Sequence, residues 1–180
     1  MLLPDDPRHL NSRFNLESIE SRVQAGFLVI VITNQTGVAR GECAAEGLRR
    51  IRYKMETLLG RGHAWIDVLY CPHHPDNGFA GEATELKIDC DRRKPKTGMF
   101  ERAAPDWNVS LPESYGVGDS RRDVLAARRM GLRTIGVKTG HGCRDCGASE
   151  WPDQLADDLG EAVDFILAAA AVEPAERVRA

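Results

Sequence analysis

The run Phe27-Leu28-Val29-Ile30-Val31-Ile32 constrains this chain more than any other segment. No polar residue interrupts it, and β-branched side chains dominate it. A strand with one wet face alternates apolar and polar residues, because successive side chains point to opposite faces. A strand without alternation must be covered on both faces, as in the parallel sheets of α/β proteins. Downstream segments meet that demand. Leu48, Ile51, Met55 and Leu58 recur at helical spacing. Residues 65–70 read as a second strand, 98–104 as a short helix, and Ser114-Tyr115-Gly116-Val117 as a third strand. Residues 121–130 then read as a helix closed by Gly131, and Thr134-Ile135-Gly136-Val137 as the last strand. Residues 153–171 read as a final helix and 174–180 as a frayed tail. Ahead of the first run, 1–13 reads as coil, and Leu16, Ile19 and Val23 share a helical face that Gly26 ends. Strands alternating with helices predict an α/β fold, a doubly wound Rossmann-like parallel sheet, in one domain spanning 1–180.

In such sheets ligands sit beyond the carboxyl ends of the strands. The segments starting at Thr33, Cys71 and Gly118 all lie there, and each carries chemistry. Thr33-Asn34-Gln35-Thr36-Gly37 offers hydroxyl, amide and backbone N–H donors to an oxyanion, or is a polar turn. Lys94 supplies a cation and Arg93 a bidentate fork for phosphate, or both belong to a solvated charged loop with Asp91, Arg92 and Lys96. Asp119 and Asp123 are hard oxygen donors of the kind Mg²⁺ prefers; alternatively Asp119 caps the helix that follows. Within residues 71–96, Cys71, His73 and Cys90 are zinc-type ligands, and His74, Asp89 and Asp91 are nearby candidates for a fourth. Cys143 and Cys146 form a C-x-x-C with no second pair to complete a four-cysteine site, and read as two thiols in a polar loop.

Bulk properties exclude several classes. A net charge of −3 leaves no basic footprint for nucleic acid. No apolar run approaches the roughly 20 residues needed to span a bilayer, and Met1-Leu2-Leu3-Pro4-Asp5-Asp6 has no basic or long apolar stretch of the signal-peptide kind. The expected location is the cytoplasm, and five cysteines, an odd count, argue for thiols or metal rather than a disulfide framework.

Taken together, four segments resemble the haloacid dehalogenase-like superfamily of phosphohydrolases. They are Val31 to Gly41, Tyr70-Cys71-Pro72-His73-His74-Pro75, Cys90-Asp91-Arg92-Arg93-Lys94-Pro95 with Gly98-Met99, and Val117-Gly118-Asp119 with Asp123. The resemblance is to the small capless branch that includes D-glycero-D-manno-heptose 1,7-bisphosphate phosphatases and the histidinol-phosphatase domain. It implies a Mg²⁺-dependent phosphatase of a sugar phosphate, with heptose bisphosphate as the expected substrate. Thr33 and Lys94 would hold the phosphoryl group, Asn34, Gln35 and Thr36 would line the substrate loop, and Arg93 would face the sugar phosphate. Asp119 would hold Mg²⁺. Cys71, His73 and Cys90 would hold Zn²⁺ in a loop that replaces a cap domain. A monomer acting on a small molecule is the family expectation.

Two departures stand out. The family pattern Cys-x-Cys-Arg-Lys-Pro has Arg92 at its second cysteine here. The family also begins with a central strand ending in Asp-x-Asp-Gly-Thr, whose first Asp attacks phosphorus and whose second is the acid/base. Asp5 and Asp6 are adjacent, flanked by Pro4 and Pro7, and follow no usable strand, so neither inherits those roles. Loss of that strand would leave the strands ending at Thr33 and Val117 without their shared neighbour. The favoured expectation is a phosphatase of which this chain is a version begun at an internal methionine. The alternatives are a non-catalytic sugar-phosphate-binding homologue and, third, a zinc- or thiol-based interaction module.

Overall fold

A computed structural model describes residues 26–60 and 66–177. The predicted coil at 1–13, the helical face of Leu16, Ile19 and Val23, and the pair Asp5 and Asp6 lie outside the described residues. So does Trp65.

Strand β1 (Val29–Asn34) is followed by helix α1 (Ala45–Gly60) and strand β2 (Ile66–Cys71). A long loop with a single 3₁₀ turn at Thr84–Leu86 leads to helix α2 (Gly98–Asp106) and strand β3 (Tyr115–Gly118). Helix α3 (Arg121–Arg129), strand β4 (Arg133–Val137), strand β5 (Gln154–Ala156) and helix α4 (Leu159–Arg177) complete the order. Every pairing is parallel, as an unbroken apolar run requires.

The sheet is divided. Strand β1 pairs with β2 from Val29↔Ile66 to Asn34↔Cys71. Strands β3, β4 and β5 form a second ladder in that order. Among the described residues nothing pairs with the second edge of β1 or of β3. Residues 1–25, ahead of β1, lie outside the described residues. The two open edges are visible in burial. Strand β4, paired on both sides, is buried from Thr134 to Val137, whereas every residue of β1 and β3 is only half-buried. The first apolar run is therefore less covered than its composition predicts, and Leu28 is exposed. Phe27 still packs against the main core of Ile135, Val137, Ala156, Ala162 and Ile166, together with Tyr115, Val117 and Phe165. That contact holds β1 beside the second ladder.

The C-terminal expectation needs correction. Residues 153–171 are not one helix, because Gln154–Ala156 pairs with β4 and the helix starts at Leu159. Three residues of Gln, Leu and Ala carry no strand signature of their own. Asp153 fixes them instead: its Oδ2 accepts from Thr134 N at 2.7 Å and Thr134 Oγ1 at 2.8 Å, and Asp153 N donates back to Thr134 Oγ1 at 3.0 Å. Helix α4 also runs through Pro174 to Arg177, where a frayed tail was expected.

Candidate active site

At the carboxyl end of β1, Asn34 spends its whole amide on one neighbour. Its Nδ2 donates to Lys94 O at 3.1 Å and its Oδ1 accepts from Lys94 N at 3.0 Å. This pair of bonds imitates one rung of a strand ladder and ties the Arg93-Lys94-Pro95 loop to β1. The Lys94 ammonium then reaches Ile32 O at 2.6 Å and Asp123 Oδ1 at 2.6 Å. Ser120 donates to the other Asp123 oxygen at 2.6 Å. Burial pushes the Asp123 carboxyl up, but the Lys94 ammonium and the hydrogen bonds from Lys94 and Ser120 outweigh it and hold the group below its ordinary value. Asp123 is thus the counter-ion of Lys94. Beside this pair, Thr33 Oγ1 accepts from Gln35 Nε2 at 3.2 Å, which leaves the hydroxyl proton to donate elsewhere. Gln35 N is anchored on Cys71 O at 2.8 Å, and Thr36 O takes Arg40 N at 3.0 Å.

Asp119 does not cap α3. The N-cap is Ser120, without a side-chain capping bond. Asp119 Oδ2 instead accepts from His141 N at 2.8 Å, across the loop that follows β4. Two glycines make these approaches possible. A side chain at Gly118 would overlap Asp123, and one at Gly140, whose φ is +67°, would overlap the Asp119 carboxylate. Cys143 N donates to Asp119 O at 2.7 Å. Its thiol is fully buried and pushed up to about 12, by burial first and then by Cys146. Both Cys143 and Cys146 are free thiols, as expected, but Cys143 is buried and packs as a small apolar group.

The loop from residue 71 to 96 brings Cys71, His73 and Cys90 together, with ligand atoms all within 4.8 Å of one another. Cys71 Sγ lies 3.6 Å from His73 Nδ1. Burial, and next the Cys90 thiol, raise Cys71. For Cys90 burial is outweighed by hydrogen bonds from Arg92, and its thiol falls below the ordinary value. His73 is lowered by burial and then by Arg92, so it is a neutral imidazole with an available lone pair. The nearby fourth candidates turn elsewhere. His74 is buried against Arg40 Nη2 at 2.6 Å, and Asp89 pairs with Lys96 at 2.7 Å. Asp91 stands exposed, 3.7 Å from Lys96. Among the described residues, Cys143 and Cys146 do not join the cluster. Arg93 donates to His73 O at 3.3 Å, which ties the zinc-type cluster to the Lys94 loop.

Reading residues alone missed Ser120, the His141 amide and Arg40. No sequence signal marks a backbone amide as a ligand. Arg40 sits with the Phe79 ring 5.1 Å from its guanidinium, a contact made where the 71–96 loop returns to the turn after β1, with Ala83 N on Ala39 O at 3.2 Å.

Three comparisons identify the family. A family model described as "HAD-hyrolase-like" matches residues 91–162. The D-glycero-beta-D-manno-heptose-1,7-bisphosphate 7-phosphatase of Haemophilus ducreyi is 37% identical over 144 residues, spanning 78% of this chain and 76% of that one. The crystal structure of D,D-heptose 1,7-bisphosphate phosphatase from B. bronchiseptica, complexed with magnesium and phosphate, superposes with a TM-score of 0.69. It is 31% identical, over 86% of this chain and 82% of that one. The chain belongs to the haloacid dehalogenase-like phosphatases. Membership makes it a phosphoric monoester hydrolase of an α/β fold. It also sets the test for metals in this phosphatase. Asp119 offers a carboxylate at a strand end, which fits Mg²⁺, an ion usually bound by one or two carboxylates plus phosphate oxygens. Cys71, His73 and Cys90 fit three of the four positions of a tetrahedral zinc site.

Proposed function

We propose that this phosphatase acts on a sugar phosphate, D-glycero-D-manno-heptose 1,7-bisphosphate, and removes the 7-phosphate. The observation that carries the reading is the Lys94 ammonium, 2.6 Å from both Ile32 O and Asp123 Oδ1, at the end of β1 that carries Thr33. A cation locked there by a buried carboxylate cannot swing into solvent, so phosphoryl charge meets it at little reorganisation cost. Thr33 donates its hydroxyl proton to a phosphoryl oxygen, Gln35 orients Thr33, and Asn34 fixes the height of Lys94. Thr36 shapes the turn beneath the sugar, and Arg93 faces it. Mg²⁺ held through Asp119 would supply further charge neutralisation on the phosphoryl oxygens. Attack on phosphorus belongs, by resemblance, to an aspartate that is not among the described residues.

Zinc on Cys71, His73 and Cys90 would staple the 71–96 loop beside Lys94, and the bond from Arg93 to His73 O supports that coupling. Location in the cytoplasm as a monomer completes the proposal. In its favour, the net charge is −3, and no helix among the described residues is long and apolar enough to cross a membrane. The deciding experiment takes the protein as isolated from its native host, adds Mg²⁺ and heptose 1,7-bisphosphate, and follows free phosphate and the ³¹P spectrum. Release of the 7-phosphate with the 1-phosphate retained is expected. Saturable binding without turnover would replace the enzyme with the sugar-phosphate-binding alternative.

A further inference from the structure

The cluster of Cys71, His73 and Cys90 offers three ligand atoms, all within 4.8 Å of one another, to an ion that takes four. The neighbours that could supply the fourth are engaged. His74 meets Arg40 Nη2 through Nε2 at 2.6 Å, and its Nδ1 takes the Asp76 N–H at 3.2 Å. Asp89 is held by Lys96 at 2.7 Å, and exposed Asp91 lies 3.7 Å from the same ammonium. Arg92, two positions after Cys90, is a cation without a lone pair to offer a metal. Zinc sites closed by four protein ligands are structural, whereas three protein ligands leave a position for something else. The cluster also reaches solvent. Cys71 is fully buried, but His73 and Cys90 are half-buried and Arg92 is exposed.

Charge and softness select what enters. Two thiolates balance the charge of Zn²⁺, and a neutral imidazole adds none. The Arg92 guanidinium, hydrogen-bonded to the Cys90 sulfur, then adds a positive charge beside the cluster. Asp89 and Asp91, its neighbours in the chain, pair with Lys96 instead. Zinc that already carries thiolate sulfur suits a further sulfur better than a hard phosphate oxygen. That separates this position from the sugar-phosphate loop at Arg93 and Lys94. A guanidinium fork suits a carboxylate. We propose that Cys71, His73 and Cys90 hold zinc with its fourth position open, and that this position takes a small thiol bearing a carboxylate, with sulfur on the metal and carboxylate on Arg92. The proposal rests on the zinc reading of the cluster. The thiol binds as its thiolate, and its proton passes to solvent. Arg93 donates to His73 O at 3.3 Å, so the filled position is coupled to the substrate loop through one hydrogen bond.

Cobalt substitution of the full chain tests it. The protein is stripped with chelator, reloaded with one equivalent of Co²⁺ and desalted. Cobalt reports its sulfur ligands through a near-ultraviolet charge-transfer band. Mercaptoacetate is titrated in, with uncharged β-mercaptoethanol as the comparison, for the native protein and for Arg92→Gln, a change at an exposed position. In the native protein both thiols should raise the band saturably by about half, as two sulfur ligands become three. Arg92→Gln should shift the ratio of the two affinities by about threefold against mercaptoacetate, the worth of an exposed ion pair, while the response to β-mercaptoethanol stays. The same ratio in both proteins overturns the ligand assigned here. A band that Cys90→Ser lowers but neither thiol moves keeps the metal site and overturns the open position. Cobalt that does not bind, or a band indifferent to Cys90→Ser, removes the zinc reading and this inference with it. Cobalt stripped from the native chain by the thiols also overturns the inference.

Discussion

Replacing Lys94 by Met should do more than remove a charge; it should reverse how Asp123 responds to acid. The Lys94 and Asp123 side chains are 12% and 15% exposed, so solvent screens the pair little. Removing one partner of a buried pair costs about 3–5 kcal/mol, because the other charge stays buried alone. The slight exposure here argues for the low end, about 3 kcal/mol, out of a typical total of about 5–15 kcal/mol. In the native protein the Asp123 carboxyl is held below its unfolded value of about 3.9. Its contribution is present above that value and is lost as pH falls through the folded one. In Lys94→Met, burial is the largest influence and the ammonium no longer opposes it. The folded carboxyl then rises above its unfolded value, the folded state binds the proton more tightly, and acidification stabilises the variant. The gap between the two proteins should therefore shrink, from about 3 kcal/mol at pH 7 to a small fraction of that near pH 3. Urea titrations followed by far-UV circular dichroism at several pH values measure it. The double variant Lys94→Met, Asp123→Asn removes the orphaned charge and should recover much of the loss at pH 7. A gap that keeps its size across this range would refute the assignment of Asp123 as a buried carboxylate held ionised by Lys94.

Other changes probe other parts. Asp153→Ala strips the partners from the backbone N–H and hydroxyl of buried Thr134, and should cost about 1–3 kcal/mol, read as a fall in melting temperature. Gly118→Ala drives a methyl group into Asp123; overpacking of about 1–3 kcal/mol is expected, with loss of phosphatase turnover because Lys94 loses its brace. Protein purified without chelator should carry about one zinc per chain by atomic emission, fewer than four ligands notwithstanding, and Cys90→Ser should lose most of it. Equal zinc in both proteins would dissociate the metal from this cluster.

How much of this was legible in the residues depended on whether the signal was local. Period and composition identify β1, β3, β4 and α3 to within a residue or two, because each carries its own apolar or helical spacing. Strand β5 was illegible, since Gln154-Leu155-Ala156 becomes a strand only through Asp153 and the open edge of β4. The segments carrying Thr33 and Asp119 were legible as strand ends, and the spacing of Cys71, His73 and Cys90 as a cluster. Their partners were not. That Asp123 pairs with Lys94 follows from where α3 starts relative to the 94 loop, a distance of 29 positions in the chain. Nothing in a pattern of side chains announces that the His141 amide will hold Asp119. Arg121, held by Glu150, looks the same in sequence as its neighbour Arg122, which donates to Ser120.

The divided sheet gives Lys94 a structural importance that its chemistry alone does not require. Among the described residues the two ladders share no strand, and at the site end one ammonium touches both the β1 carbonyl of Ile32 and the α3 carboxylate of Asp123. At the other end Phe27 reaches the core beside Tyr115 and Val117. Stability and phosphate recognition therefore share the atoms of Lys94, and substitutions there cannot separate the two. Thr33 differs. Its hydroxyl accepts a side-chain bond from Gln35 and braces neither ladder, so Thr33→Val should keep the unfolding free energy within about 0.5 kcal/mol while weakening phosphate binding. If Thr33→Val instead melts as Lys94→Met does, the hydroxyl belongs to the scaffold and the division of labour argued here is wrong.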